Sequence, residues 1–224
     1  GKLVLLDASE ANLYTIEMEL VHEYLFKHQI PILGQCQDKE LIDDIFKCLK
    51  PQVVFHAAAY KHVPILESNP WQAVENNIWG TYTLMQAAQT NKVERFVVVS
   101  TDKAVRPTNV MGVSKRITEL LMHAFCGNST RFMAVRFGNV IGSSGSVIPL
   151  FRRQIEHGGP VTVTHPEVTR YFMTVEESMQ LILQAGSMGK GGEIFVLKMG
   201  VPIRISDMAR DLIRLSGKEP DKDI

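Results

Sequence analysis

At 224 residues the chain can bury one sizeable core, with room for a smaller lobe beside it. Lys plus Arg and Asp plus Glu stand at 24 each, so the net charge is zero, which argues against a broad nucleic-acid or anionic-membrane surface. No apolar run approaches a membrane span, the start is not signal-like, and neither the 3 cysteines nor the 7 histidines show metal-ligand spacing. Cys36, Cys48 and Cys126 read as reduced thiols, so a cytoplasmic protein without a metal is expected.

In chain order, residues 2–7 (KLVLLD) predict a short buried strand ending on the Asp7 carboxylate. Leu13, Ile16, Leu20, Tyr24 and Leu25 recur at helical spacing and predict a helix over 12–28. A second strand is predicted over 31–34 and a second helix over 39–49. Strands over 52–57 and 95–100 flank a helix over 70–89; a helix over 111–125 and a strand over 131–137 follow. This alternation predicts an α/β fold, a doubly wound parallel sheet with helices on both faces. Past about Gly138 the texture turns to Gly, Ser and Pro. The expected division is a nucleotide-binding domain over 1–138 and, over 139–224, mostly a loop-rich substrate lobe with possible returns to the sheet.

Residues 100–116, STDKAVRPTNVMGVSKR, carry the most information. They put Asp102 and Lys103 in the loop leaving the C-terminal end of a strand, where open parallel sheets keep their sites. Lys115 comes four residues after Met111, so the two share one helix face. An Asp-Lys pair in a loop is commonly a mere surface pair. Its position after Ser100 and Thr101 turns the reading towards function.

With LVLLDASE (3–10), FHAAAYKHVPILESNP (55–70), ENNIWGT (75–81), VRFGNVIGSSGSVIP (135–149), TRYFMTVEES (169–178) and GGEIFVLKMG (191–200), that segment resembles one family. It is the capsular and O-antigen polysaccharide-biosynthesis dehydratases, UDP-N-acetylglucosamine 4,6-dehydratases of the extended short-chain dehydrogenase/reductase type. The wider superfamily carries Tyr-x-x-x-Lys on its active-site helix; here Met111 stands in the tyrosine position, as in the Met-containing form of the family. The resemblance implies a Rossmann-type fold with a small C-terminal lobe, NAD rather than NADP as cofactor, a UDP-sugar as substrate and a homo-oligomer. A cytoplasmic location follows, including that of a cytoplasmic domain of a bacterial inner-membrane protein. The glycine turn of a dinucleotide fold should lie ahead of Asp7, so the chain is expected to start inside that unit.

The reaction so implied removes the C5 proton and the C6 hydroxyl after oxidation at C4, which needs a base and an acid on one side of the sugar. By resemblance Asp102 is the acid, Lys103 the base, Thr101 a partner of the C4 oxygen and Lys115 a ligand of the nicotinamide ribose. On the cofactor side, Asp7 meets the adenosine ribose and Gln35, where the family has Asp, the adenine. Ala57, Ala58 and Ala59 allow the dinucleotide close to the backbone. Substrate contacts fall to Lys61, to Asn139 and Arg170 for the uracil-diphosphate, and to Glu193 for the nucleotide ribose. Asn77 is expected to brace the active-site helix and strand. Met111 moves no proton, which leaves the C4 hydroxyl to Asp102 acting first as base or to a water held by Thr101 and Lys115. A same-fold epimerase, a plain dehydrogenase and a non-catalytic nucleotide-sugar-binding subunit stay open as other readings.

Overall fold

The computed structural model describes residues 1–127, 129–143 and 145–224. The chain forms two compact units, Gly1–Val135 with Ala185–Phe195, and Arg136–Gln184 with Val196–Ile224.

In the first unit strands and helices alternate. They are β1 (Leu3–Asp7), α1 (Glu10–His22), β2 (Gln29–Leu33), α2 (Lys39–Leu49), β3 (Val53–His56), α3 (Val63–Ser68) and α4 (Pro70–Gln72), then a π-helical turn over Ala73–Trp79. After it come α5 (Gly80–Thr90), β4 (Arg95–Thr101), a single tight turn over Asp102–Ala104, α6 (Val110–Phe125), β5 (Arg131–Phe137) and later β9 (Ile194–Val196). Side-chain caps start the helices where the sequence supplies them: Ser9 for α1, Asp38 for α2 and Asn109 for α6.

β1 pairs with β2 in parallel, and a separate sheet runs β3-β4-β5-β9, with β3 and β4 parallel. The expected α/β class with a parallel sheet is what the chain adopts. Among the described residues, β1 pairs only with β2 and β3 only with β4, so each keeps one open edge. The core joins Ile42 and Phe46 of α2, Leu84 and Met85 of α5, Phe96 and Val98 of β4, Met122 of α6 and Phe132 of β5. The Phe96 and Phe132 rings pack 5.5 Å apart. Removing an aromatic of this kind costs about 3–5 kcal/mol, so this core fixes where β4 and α6 lie.

The second unit is more regular than its composition suggests. Helices α7 (Val147–Glu156), α8 (Val175–Met188) and α9 (Ile205–Leu215) replace the expected loops. Ile205, Ala209 and Ile213 repeat every four residues and are buried, with Ile205 and Ala209 against Phe151 of α7. The glycines that suggested loops sit in the turns before and between these helices, at Gly142, Gly158 and Gly200 with positive φ. Short strands complete the unit: β6 (Asn139–Val140) beside β8 (Phe172–Met173), and β7 (Thr169–Arg170) beside β10 (Ile203–Arg204). The predicted first helix is also shortened. It stops at His22, because Tyr24 and Leu25 find no core and stay exposed, and Leu25 turns the chain at φ 52°.

Candidate active site

Strand β4 ends on Ser100 and Thr101, and the next turn carries Asp102 and Lys103. Lys103 Nζ lies 3.0 Å from Asp102 Oδ1, and the Thr101 hydroxyl donates to the same oxygen at 2.9 Å. The Asp102 and Lys103 side chains keep 28% and 26% of their surface, enough to meet a ligand and too much to count as core.

Helix α6 packs directly on this turn. Gly112 makes the approach possible: a Cβ there would sit 2.4 Å from the Lys103 carbonyl oxygen. Met111, just before it, is buried with Leu66 and Ala73. It fills an apolar gap, as thioethers do, and takes no part in proton transfer.

Lys115 follows on the same buried face and is only 5% exposed. Burial pulls its ammonium down to about 8, with the Glu119 charge acting in the opposite direction. Behind it lies His56, the last residue of β3. Burial, with the Lys115 charge adding to it, takes His56 down to about 3. The Thr81 hydroxyl gives its hydrogen to the Asn77 carbonyl at 2.6 Å and meets His56 Nε2 at 2.8 Å. His56 therefore donates through Nε2–H and is neutral.

Asn77 sits in the π-helical turn, a local widening that often marks a functional site. Its amide accepts from the Tyr60 N–H at 2.8 Å and donates to the Tyr60 carbonyl and the Ser114 hydroxyl, both at 3.0 Å. One side chain thereby ties the loop after β3 to α6, at the residue directly before Lys115. This is the bracing role the sequence suggests.

The sequence-predicted cofactor residues lie at the C-terminal ends of the first strands. Asp7 closes β1, with one carboxylate oxygen taken by the Ser9 N–H at 2.7 Å. Gln35 lies two residues beyond β2, exposed, its amide oxygen accepting from Gln37. Ala57 and Ala58 follow β3 and present their small side chains to solvent, with Ala59 half-buried beyond them. Carboxyl ends of parallel strands are where such sheets take a dinucleotide. An acid for ribose hydroxyls, small residues for close approach and a buried ammonium form a donor set that fits NAD.

Of the substrate candidates, Lys61 is exposed in the loop that Asn77 pins. Asn139 and Arg170 belong to the second unit, where the Asn139 N–H bonds to the carbonyl of Tyr171, the neighbour of Arg170. Arg170 is exposed. Glu193 belongs to the turn before β9, where its two oxygens hold the N–H groups of Lys190 and Gly191.

The sequence reading missed Glu119, Gly112 and His56. Glu119 left a trace: a charged residue at position i+4 from Lys115, among Met111, Thr118 and Met122 on the buried face.

The family described as polysaccharide biosynthesis protein matches residues 1–224. This chain belongs to it. Its relatives include the capsular polysaccharide biosynthesis protein CapD of Staphylococcus aureus, 51% identical over 98% of the chain and 37% of CapD. The chain thus spans little more than a third of that relative's length. Among solved structures, Pen from Bacillus thuringiensis is 34% identical with a TM-score of 0.89, over 98% of this chain and 69% of Pen. The dTDP-glucose 4,6-dehydratase DesIV of Streptomyces venezuelae, solved with NAD, shares the fold at 21% identity and a TM-score of 0.86, over 97% of this chain and 72% of DesIV.

Proposed function

We propose that the chain carries the NAD-dependent 4,6-dehydration of a UDP-N-acetylhexosamine, UDP-N-acetylglucosamine foremost, to the 4-keto-6-deoxy sugar for surface polysaccharide. The observation that supports it is the Thr101–Asp102–Lys103 cluster at the end of β4, with Met111 where a proton-transferring tyrosine would stand. Asp7, Gln35, Ala57 to Ala59 and Lys115 would hold NAD, which would supply the reversible hydride acceptor that the reaction needs.

The side chains account for every proton. Thr101 already donates to Asp102 Oδ1, so its oxygen can accept from the C4 hydroxyl while its own hydrogen passes to the carboxylate. Asp102, now protonated, faces the C6 hydroxyl and gives the same proton to the departing oxygen, which leaves as water. Lys103, as the amine, takes the C5 proton, acidified by the C4 ketone, and returns it once hydride has reached C6. The two groups end as they began. Each is a general acid–base contribution of about 10²–10⁴-fold. Asn139 and Arg170 would hold the diphosphate, the guanidinium matching two of its oxygens. A cytoplasmic location belongs to the same reading.

The deciding experiment incubates the full-length protein with UDP-N-acetylglucosamine in deuterated water. The reading expects a product lighter by one water with deuterium at C5. A product that gains deuterium and keeps its C6 hydroxyl would assign the site to a C5 or C3 epimerase, which could use the same acid–base pair. No conversion would leave a nucleotide-sugar-binding role.

A further inference from the structure

Glu119 has no exposed surface, although it carries a carboxylate. Burying such a group is costly unless it is paired, and here both oxygens are engaged. Ser100, also buried, donates its hydroxyl to Glu119 Oε1 at 2.6 Å. Arg116 Nη1 lies 2.9 Å from Oε2. Ser100 immediately precedes Thr101, Asp102 and Lys103, while Glu119 stands one helical turn beyond Lys115. One carboxylate therefore touches the strand end that launches the acid–base turn and borders the buried ammonium.

We propose that Glu119 is a positioning residue: through Ser100 it holds the Thr101–Lys103 turn against α6, and beside Lys115 it keeps that side chain in the ammonium form. The inference rests on Asp102, Lys103 and Lys115 having the roles proposed above. The elements packed on α6 bring Asp102 and Lys103 from the turn, Glu67 from α3, Glu75 from the π-helical turn and Arg95 from β4, with His56 near Lys115 from β3. α6 itself adds Arg116 and His123. Of all these, Glu119 is the acid whose charge favours the Lys115 ammonium. His56 is neutral above about 3 and supplies no counter-charge.

The test follows the Lys115 ammonium by ¹⁵N-lysine NMR across pH, in the chain itself and in Glu119→Gln. Glutamine keeps an acceptor for Ser100 and loses the charge. Its Lys115 midpoint should fall by about one pH unit or more, and in the full-length protein the alkaline loss of turnover should begin correspondingly earlier. Ser100→Ala should do the converse, leaving the midpoint in place while lowering kcat about tenfold or more at every pH, with KM unchanged. If the glutamine variant fails to fold, Glu119→Asp keeps the charge without the reach and should behave as Ser100→Ala does. An unmoved midpoint in Glu119→Gln, or full turnover in Ser100→Ala or Glu119→Asp, overturns the proposal. Full turnover in Lys115→Met overturns the reading beneath it and leaves the NMR midpoint of the unaltered chain as it was.

Discussion

Asp102 Oδ1 receives two hydrogen bonds, from Lys103 Nζ at 3.0 Å and from the Thr101 hydroxyl at 2.9 Å. A carboxylate oxygen so placed is oriented before any ligand arrives. One of the two donors, Thr101, is the group through which the proposed mechanism passes it a proton.

That arrangement makes the two acidic and basic positions separable. In the full-length protein, Asp102→Asn and Lys103→Met should each lower turnover by about 10²–10⁴-fold with the fold intact. Lys103→Met should also stop exchange of the C5 proton with solvent. Asp102→Asn also removes the acceptor for the C4 hydroxyl proton, so it should slow oxidation at C4, seen as NAD reduction, and with it C5 exchange and loss of the C6 hydroxyl. Mass spectrometry of the recovered sugar in deuterated water reads both. Near-normal dehydration by Lys103→Met would move the base elsewhere, with Lys61 next to test.

Gly112 separates packing from chemistry. The methyl group of Gly112→Ala would meet the Lys103 carbonyl at 2.4 Å, so the turn or α6 must shift. Alanine favours the helix itself by about 1 kcal/mol, and the clash offsets that gain. A displacement of about 1 Å can cost on the order of 10²-fold in rate. Kinetics and a thermal melt on the same variant should show a rate loss far larger than its change in stability.

Asp7 should set cofactor choice. A carboxylate at the end of β1 accepts from a ribose 2′-hydroxyl and repels a 2′-phosphate, so NAD should be preferred over NADP. Asp7→Ala should narrow the preference, measured as the ratio of the two dissociation constants. Equal binding of both cofactors by the unaltered protein would remove the assignment.

His56 should make the fold acid-sensitive. Its folded value is about 3 against 6.5 for the free side chain, so between those limits the unfolded chain binds a proton that the folded chain refuses. Stability should fall as pH drops through that window, by up to about 1.4 kcal/mol per pH unit from this residue. His56→Gln can still donate to Thr81 and does not titrate. Its stability from urea titrations should fall less steeply from pH 6.5 to pH 4; parallel slopes would contradict the assignment. Lys115 acts in a separate, alkaline window. The folded state bears the cost of its buried charge below about 8, and that cost is relieved as pH rises towards 10.5.

The α/β alternation of the first unit is written in local sequence, because strand and helix periods are properties of consecutive residues. Residues 131–137 and 39–49 coincide with β5 and α2 for that reason. The placement of Asp102, Lys103 and Lys115, at a strand end and along one helix face, was legible too, because both relations lie within a single segment. α7, α8 and α9 were hidden behind the glycines and prolines of their connecting turns. The turn that Glu193 clamps was hidden, because the backbone N–H groups it holds carry no signature in the sequence. What only tertiary structure decided was each partnership across long separations. Ser100 with Glu119, Asn77 with Tyr60 and Ser114, and the gap at Gly112 that admits Lys103 arise when β3, β4 and α6 are packed together. Residue types alone specify which groups can exchange protons; the distances at which they do so belong to the packed core.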